Sequence, residues 1–354
     1  MIKIIIGVYG DEINAQNING LEIARRLDTT SFDTHMFYYH LAPAADNITF
    51  HKISSNRVLK NLMKLFYLIF GNYDVYYLPK AEKIDMIFSF LFGKSRCIIS
   101  SVEIENALHD NKLKKFFCSY VYAFFAINQG LQSSIEKTWG IDVSVLYLGY
   151  CKYAYEPQIK RKLQKIVFVG SLIKRKRPEY FLSIAQKHPN IEFIMIGDGP
   201  LRKELEDIIS NKKINNAVLM GSLPNPKVYE VLSQCDLLLL TSESEGQPKV
   251  SLEAGSLGVP TCYIKNTYSI DYIENGVSGF ETENLEEVSN IISLLEQKPE
   301  LLENASTTIA QLTDTYSWDQ LVTGYGLYFE ETYKTWRLSP KVKKGNQRNL
   351  EDCK

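Results

Sequence analysis

The sequence predicts an α/β protein with two doubly wound parallel sheets. Short, continuously apolar runs such as residues 236–240 alternate with helical patterns along the chain, and this alternation is typical of parallel strands covered by helices on both faces. At 354 residues, the chain is long for one hydrophobic core but suits two domains of about 150 residues each. Residues 152–165 are charged and lack an apolar period, which predicts the interdomain linker.

Composition narrows the class of protein. The chain is 45% hydrophobic and 23% charged, with a formal net charge of -1, so no bulk charge favours nucleic acid as a partner. Its six cysteines form no C-x-x-C pair, which favours reduced thiols in a cytoplasmic protein. The N-terminus enters a strand pattern directly, and we expect no signal peptide.

The first half is expected to carry an acceptor-side domain. Gly10, Asn14 and Ala15 lie between its first strand and a helix through Leu21–Leu27; they form either a backbone cradle for phosphate or a plain Asn/Gly-rich turn. Glu103 follows the third strand and is either an acceptor contact or a solvated charge. The expected strands are Ile2–Val8, Asp74–Leu78, Cys97–Ser101, Ala123–Asn128 and Val143–Leu148.

A basic amphipathic helix is predicted at residues 56–70. Arg57, Lys60 and Lys64 alternate there with leucine and phenylalanine, and a second basic cluster follows at Lys112–Lys115. The pattern favours either contact with an anionic membrane surface or a core helix with a solvated rim.

The second half shows the clearer alternation of strands and helices. Three loops are expected at one sheet edge: Lys174–Arg177, Gly197–Pro200 and Thr241–Lys249. A helix is predicted at Val250–Leu257, and residues 337–354 have the composition of a disordered tail. The expected strands are Lys165–Gly170, Ile191–Gly197, Ala217–Met220, Asp236–Leu240 and Pro260–Ile264, and the later helices are Leu285–Glu296, Pro299–Leu312 and one from Ser317 to Trp336.

Glu245 and Glu253 are the central candidates for a binding site. They stand eight positions apart, the first on the predicted binding edge and the second about two turns down the next helix. Carboxylates accept hydrogen bonds from hydroxyl groups, while helix N–H groups and Lys or Arg side chains bind phosphate. The site therefore suits an anionic ligand that carries hydroxyl groups. The alternative is a pair of solvated charges. A dinucleotide site at Gly197 is disfavoured, because the third glycine of that fingerprint is missing.

Several short motifs occur together in the second half, in a fixed order. On these motifs the chain, from Ile2 to about Trp336, resembles the retaining glycosyltransferases of family 4. The resemblance implies a GT-B fold: two facing Rossmann-like domains with an interdomain cleft. The motifs are Val169-Gly-Ser-Leu172 with Lys176, Ile196-Gly-Asp-Gly-Pro200, Met220-Gly221, Thr241-Ser242, the run from Glu245 to Ala254, and Gly258-Val-Pro260.

The resemblance also implies residue roles. Lys176 corresponds to the family lysine on the donor diphosphate, Glu245 to the glutamate on the donor sugar, and Glu253 to the one that holds the ribose. Gly197 and Asp198 correspond to positions near the nucleotide. Sugar and phosphate contacts are implied for the turn made of Gly246, Gln247, Pro248, Lys249 and Val250.

Three departures from the family pattern bear on the site. Ser171 stands where the family commonly has arginine, so Arg175 is expected to supply the second cation. Asn14-Ala15 replaces the usual glycine pair, and residues 101–103 occupy the region of a histidine that many members carry. These departures leave open a non-catalytic GT-B subunit that binds nucleotide or a partner glycosyltransferase.

The function implied is retaining transfer of a sugar from a UDP- or GDP-sugar to a hydroxyl of a glycan or lipid-linked glycan, as in bacterial surface polysaccharide synthesis. A nucleotide-sugar epimerase is a further alternative. No cofactor and no metal are expected, because no Asp-x-Asp pair or His/Cys cluster occurs. We expect a cytoplasmic location, peripheral to the inner face of the membrane. The expected domains are 1–157, 158–316, a helix at 317–336 packing back on the first domain, and the tail.

Overall fold

The chain divides into two compact units, each with its own sheet. The computed structural model describes residues 1–12, 14–103, 117–153, 155–265 and 270–339. One unit comprises Met1–Leu148 together with the chain from Trp318, and the other comprises Gly149–Ser317. The second unit thus begins at Gly149, before the start that we expected at residue 158. It includes the segment 152–165, which we predicted to be the linker. Each unit holds one six-stranded parallel sheet, which confirms the predicted fold class.

The first unit contains two strands that the sequence pattern did not predict. Buried polar residues such as His35 interrupt the apolar run of one, and only Ile48 is buried in the other. The predicted strand Val143–Leu148 is wrong: only an isolated bridge joins Val145 to Ala126. Beyond it, the Tyr325 hydroxyl donates to the carbonyl oxygens of Leu146 and Tyr147, at 3.2 and 3.1 Å. The strands are β1 (Ile2–Tyr9), β2 (Phe32–Tyr38), β3 (Ile48–Lys52), β4 (Val75–Tyr77), β5 (Cys97–Val102) and β6 (Ala123–Ala126), in the order β3-β2-β1-β4-β5-β6.

Asparagine caps begin three helices of the first unit. The side-chain oxygens of Asn14, Asn56 and Asn128 accept hydrogen bonds from backbone N–H groups in the first turns, which satisfies donors that have no intrahelical partner. The helices are α1 (Ala15–Arg26), α2 (Arg57–Phe70), α3 (Lys83–Phe92) and α4 (Gln129–Trp139).

Helix α2 is amphipathic, but its orientation corrects one expectation. Lys64 is fully buried, and its ammonium lies 2.8 Å from Asp85 and 3.1 Å from Glu82. Lys60 is partly buried and lies 3.3 Å from Glu82. These two lysines therefore point inward, neither toward an anionic leaflet nor into a solvated rim, because the carboxylates that pair with them belong to α3 and its N-cap. The second predicted cluster, 112–115, lies outside the described residues.

The sheet of the second unit is covered on both faces. Leu237 and Leu239 of β10 enter one hydrophobic cluster, and Leu238 and Leu240 enter the other, because successive side chains of a strand point to opposite faces. This double burial explains the continuous apolar run. The strands are β7 (Lys165–Val169), β8 (Glu192–Ile196), β9 (Ala217–Gly221), β10 (Leu237–Leu240), β11 (Thr261–Ile264) and β12 (Gly279–Thr282), in the order β12-β11-β10-β7-β8-β9.

Helices cover this second sheet. The helix after β10 begins at Lys249 and ends at Gly255, two residues before the predicted end. Gly258 ends this region with a φ of 76°, and Val259 N–H donates to the Ala254 carbonyl at 2.9 Å. The helices are α5 (Pro178–Lys187), α6 (Arg202–Lys212), α7 (Asn225–Ser233), α8 (Lys249–Gly255), α9 (Leu285–Gln297) and α10 (Pro299–Asp314).

The last helix, α11 (Trp318–Leu338), belongs to the first unit. Its buried residues Trp318, Val322, Tyr325 and Phe329 recur at helical spacing, and Asp319 lies 2.5 Å from Arg26 of α1. Across the described ranges, no helix has both the length and the apolar character needed to span a bilayer.

Candidate functional site

The candidate site of the second unit lies where its strand order reverses. β7 pairs with β10 at the centre of the sheet; β8 and β9 follow on one side, and β11 and β12 on the other. In open parallel sheets, ligands bind outside the carboxyl ends of the strands at such a reversal. The loops that leave β7 and β10 carry the candidates Lys176 and Glu245.

Lys176 and Glu245 are in direct contact at this edge, as an ion pair between the ammonium and one carboxylate oxygen. Their side chains are 17% and 9% exposed, so the pair is largely shielded from water. Lys176 ends a single 3₁₀ turn, Lys174–Lys176. The buried Thr241 hydroxyl contacts the carbonyl oxygens of Lys176 and Arg177 at 2.8 and 2.9 Å. The hydroxyl holds the basic loop against the end of β10.

Arg175 joins the same cluster. Its guanidinium donates to the carbonyl oxygen of Ser244 and lies 3.4 Å from the second carboxylate oxygen of Glu245. The Glu243 N–H donates to the Arg175 carbonyl at 2.8 Å. Arg175 is 45% exposed, so its guanidinium is open to a ligand. Two cations therefore flank one carboxylate, an arrangement suited to a ligand that carries both phosphate and hydroxyl groups.

The loop after β8 reaches the β7 loop through two glycines. A Cβ on Gly197 would lie 1.9 Å from the Gly170 carbonyl oxygen, and one on Gly199 would lie 2.6 Å from the Leu172 carbonyl oxygen. Their φ angles of 141° and 159° also favour glycine. Leu172 N–H donates to the Asp198 carbonyl at 2.9 Å. The Gly197-Asp-Gly199 motif therefore packs two backbones closely at the edge of the sheet.

Asp198 and Ser171 are both exposed on these loops. The Asp198 carboxylate accepts from the Gly199 N–H at 2.7 Å and from Arg202 at 3.2 Å. The Ser171 carbonyl accepts from Ile173 N–H at 2.9 Å. Both residues are open to solvent on the edge that carries Lys176.

Glu253 lies on α8, the helix that follows the Glu245 loop. Glu253 is partly buried; burial of its carboxyl raises its pKa, while the charge of Lys249 acts in the opposite direction. The Ser251 and Thr261 hydroxyls form a hydrogen bond of 2.8 Å beneath the helix. A buried carboxyl on a helix fixed in this way can exchange hydrogen bonds with hydroxyl groups of a ligand.

The turn before α8 supplies its N-terminus. Pro248 is buried, and Gly246, Gln247, Lys249 and Val250 are partly buried. The Tyr272 hydroxyl lies 3.4 Å from the Pro248 carbonyl oxygen. The N-cap residue of α8, Pro248, makes no side-chain cap hydrogen bond, and the turn directly follows Glu245 in the chain.

The first unit has its own reversal of strand order, between β1 and β4. Gly10 N–H donates to the Phe37 carbonyl at 2.8 Å, Asn14 caps α1, and Ala15 begins it. Glu103 follows β5 and accepts from the Ser101 hydroxyl at 3.0 Å. An open cavity of about 470 Å³ at the reversal is lined by Asn14, Ala15, Gln16, Lys80 and Glu82.

Glu82 and Lys80 were not anticipated in this cavity. Glu82 accepts from the Tyr9 hydroxyl and pairs with Lys60 and Lys64. Burial acts to raise the Glu82 pKa, but the Lys64 charge and the Tyr9 hydroxyl outweigh it and lower the pKa to about 2. The signal was in the sequence: Lys80-Ala-Glu82 follows the predicted strand Asp74–Leu78 after a single proline, at the carboxyl end where binding residues collect.

Among the described residues, no group of three or more His, Cys, Asp or Glu side chains is placed to hold a metal ion.

Comparison with known proteins gives one family match, at residues 153–311, to the family described as glycosyl transferases group 1. A Bacillus subtilis (strain 168) glycosyltransferase named for teichuronic acid biosynthesis, TuaC, is 29% identical over 148 residues. The alpha-monoglucosyldiacylglycerol synthase of Acholeplasma laidlawii is 28% identical over 158 residues. These matches cover 38% and 44% of this chain, and only 36% and 38% of the two relatives.

Solved structures match over a longer stretch. The Anabaena protein Alr3699/HepE, crystallised with UDP and glucose, aligns with a TM-score of 0.75, covering 95% of this chain and 100% of that chain at 17% sequence identity. At that identity the likeness concerns the fold, which is GT-B.

Proposed function

From a group 1 glycosyl transferase segment at residues 153–311, we propose that the chain is a retaining glycosyltransferase that uses a nucleotide diphosphate sugar. The observation that carries this proposal is the contact of Lys176 with Glu245, beside Arg175, at the strand reversal. A diphosphate needs cations to balance its charge, and the hydroxyl groups of a sugar need a hydrogen-bond acceptor. These three side chains offer both within one cluster.

In this proposal, different residues of the site bind different parts of the donor. Lys176 and Arg175 bind the diphosphate, and Glu245, released from Lys176, accepts hydroxyl groups of the sugar. Glu253 binds the ribose hydroxyls. The turn Gly246–Val250 donates N–H groups to sugar and phosphate, and Gly197, Asp198 and Ser171 border the nucleotide.

The proposed transfer breaks the bond between the anomeric carbon and the diphosphate oxygen on the face that the acceptor hydroxyl attacks. Negative charge that develops on the leaving phosphate is stabilised by Lys176 and Arg175. The leaving oxygen accepts the acceptor's proton, so no covalent sugar–enzyme intermediate forms. The products are the new glycoside, with its anomeric configuration retained, and the nucleoside diphosphate. We propose that these two cations perform the electrostatic role that a divalent metal has in other transferases.

The proposed donor is a UDP- or GDP-sugar, and the acceptor is a hydroxyl of a glycan or lipid-linked glycan. Support comes from relatives: one is named for teichuronic acid biosynthesis and another for a glucosyldiacylglycerol, and HepE was crystallised with UDP and glucose. A place in bacterial surface polysaccharide assembly, in the cytoplasm at the inner membrane face, fits this combination. The first unit, with Gly10, Asn14, Ala15 and Glu103, is proposed to bind donor phosphate and acceptor.

A panel of nucleotide sugars tests the proposal. A thermal-shift screen of the purified chain should show stabilisation by one class of UDP- or GDP-sugar. Incubation of that donor, labelled in its sugar, with membrane glycolipid extracts should transfer label, and NMR of the product should show the anomeric configuration of the donor. Product formed without acceptor would indicate an epimerase. Donor binding without any consumption would indicate a non-catalytic subunit.

A further inference from the structure

Helix α2 presents its apolar side chains to solvent and its lysines to the protein. A surface helix normally buries its apolar stripe, but here Lys64 is fully buried and pairs with Asp85. Five large apolar residues are instead 48% to 69% exposed: Val58, Leu59, Leu62, Phe66 and Phe70. The helix is thus inverted relative to an ordinary surface helix.

Helix α3 continues this apolar surface. It packs beside α2, and its residues Ile87, Phe90 and Leu91 are 50%, 55% and 59% exposed. We call these eight exposed side chains the α2–α3 surface. Contiguous apolar patches of this kind mark interaction sites on soluble proteins, because leaving them in water is unfavourable.

Within residues 56–96, which include helices α2 and α3, the exposed charged residues are basic. Arg57, Lys83 and Lys94 are exposed, whereas the acidic residues between 56 and 96, all within the described chain, are buried or partly buried. Two of those acids, Glu82 and Asp85, pair with Lys64. Positive charge beside an apolar face is complementary to an anionic lipid surface. In a symmetric pairing of two copies, the same three cations would be brought together, which opposes self-association.

Aromatic residues with polar edges lie at the C-terminal end of α3. A cavity of about 520 Å³ there is lined by Lys94, Tyr120, Tyr122 and Trp336 among other residues, and the Phe90 ring lies 5.2 Å from the Tyr120 ring. Tyrosine and tryptophan are enriched where hydrocarbon meets lipid headgroups, because each has an apolar body and a polar edge. These aromatic residues suit the headgroup region of a lipid bilayer, and the basic charge around the surface favours an anionic one.

The geometry points to the α2–α3 surface as a membrane-docking site: its apolar side chains enter the acyl boundary of an anionic leaflet, while Arg57, Lys83 and Lys94 contact lipid headgroups. The inference deepens the proposed function and rests on it only for the lipid-linked acceptor. In this inference the main source of membrane binding is insertion of the apolar side chains, not attraction of Lys60 and Lys64 to the lipid headgroups.

Vesicle flotation with the full chain tests the inference. Wild-type protein should float with vesicles rich in phosphatidylglycerol, and several-fold less with phosphatidylcholine alone. In high salt, binding to the anionic vesicles should fall to about the level seen with phosphatidylcholine without disappearing, because salt screens the headgroup contacts but not the apolar insertion. The double substitution Phe66→Ser and Phe90→Ser should weaken flotation by at least about tenfold, since it removes two large inserted side chains.

Val218→Ser with Met220→Ser is the matched control. Both residues are exposed, at 49% and 43%, but they lie on β9 in the other unit, so flotation should be unchanged. Wild-type protein that does not float, or a Phe66/Phe90 variant that floats like wild type, would overturn the inference. The inference would also be overturned if the wild-type protein sedimented as a dimer and the Phe66/Phe90 variant as a monomer, because the surface would then be an interface between two copies. Thermal shift by nucleotide sugars is read in parallel: its absence in wild type speaks against the proposed function alone.

Discussion

Lys176 and Glu245 hold each other in place across two neighbouring strands of the second sheet. One follows β7 and the other follows β10, and their ion pair is largely shielded from water. Removal of one partner leaves the other charge poorly solvated, while a bound diphosphate and sugar offers each a new partner. In the proposed function, the pair keeps both groups positioned until a donor replaces the contact.

Lys176→Ala should lower kcat/KM for the identified donor by about 10²- to 10³-fold, because a cation that stabilises the leaving diphosphate is lost. Lys187→Ala, an exposed lysine at the end of α5, is the matched control and should leave the rate unchanged. Steady-state kinetics with labelled donor measure both. Equal rates for the Lys176 variant and wild type would remove this lysine from the phosphate site.

Glu253→Gln should weaken nucleotide-sugar binding while leaving the fold at least as stable. Burial raises the pKa of this carboxyl, so its ionised form is disfavoured in the folded state, and stability falls as pH rises from the unfolded-state pKa through the folded one. The amide carries no such charge, so the variant should lose less stability over that pH range. Calorimetric affinity should fall about tenfold with a lost hydrogen bond of ~1.4 kcal/mol. Unaltered affinity would exclude a ribose contact.

Gly197→Ala should destabilise the second unit by more than about 2 kcal/mol, because its Cβ would lie 1.9 Å from a backbone oxygen at a φ that non-glycine residues rarely adopt. Gly324→Ala on α11 is the control. A Cβ there meets nothing closer than 4.0 Å, and alanine favours a helix by up to ~1 kcal/mol over glycine. Urea unfolding should separate the two variants in opposite directions.

Lys64→Met should destabilise the first unit by about 3–5 kcal/mol, because it leaves the buried Asp85 carboxyl without its ammonium partner. Lys64→Met combined with Asp85→Asn should recover part of that loss, since no buried charge then lacks a partner. Denaturant midpoints measure both variants. A single variant as stable as wild type would mean that the inward lysine does not fix the orientation of α2.

The first unit should lose stability as pH falls from about 6.5 to about 4. Burial, aided by nearby His35 and Lys3, lowers the pKa of His51 to about 4, so its protonation favours the unfolded chain throughout that interval. The Nε2 atom of His51 lies 2.9 Å from the Nδ1 atom of His35. His51→Gln should reduce the acid-induced loss by about 1 kcal/mol, allowing for solvent screening. Urea midpoints at pH 7.5 and pH 5 would test this, and parallel losses in both proteins would count against it.

The sequence predicted most of the second unit because its information there is local. Strands buried on both faces appear as continuous apolar runs, and the loops at their carboxyl ends carry the motifs of the site, including Lys176 and Glu245. Prediction was weaker in the first unit. In β2, buried polar residues such as His35 hide the strand pattern, and in β3 only Ile48 is buried, so neither strand has a continuous apolar run.

Two doubly wound sheets could be predicted from the sequence, together with the residue types that gather at the edge of the second. Contacts formed on folding bring both Arg175 and Lys176 to Glu245, and they turn the lysines of α2 inward and its phenylalanines outward. The physical reason is the same in both cases. A helical period gives the angle between faces but not which face is buried, and an ion pair depends on partners such as Asp85 that are remote in sequence and adjacent only after folding.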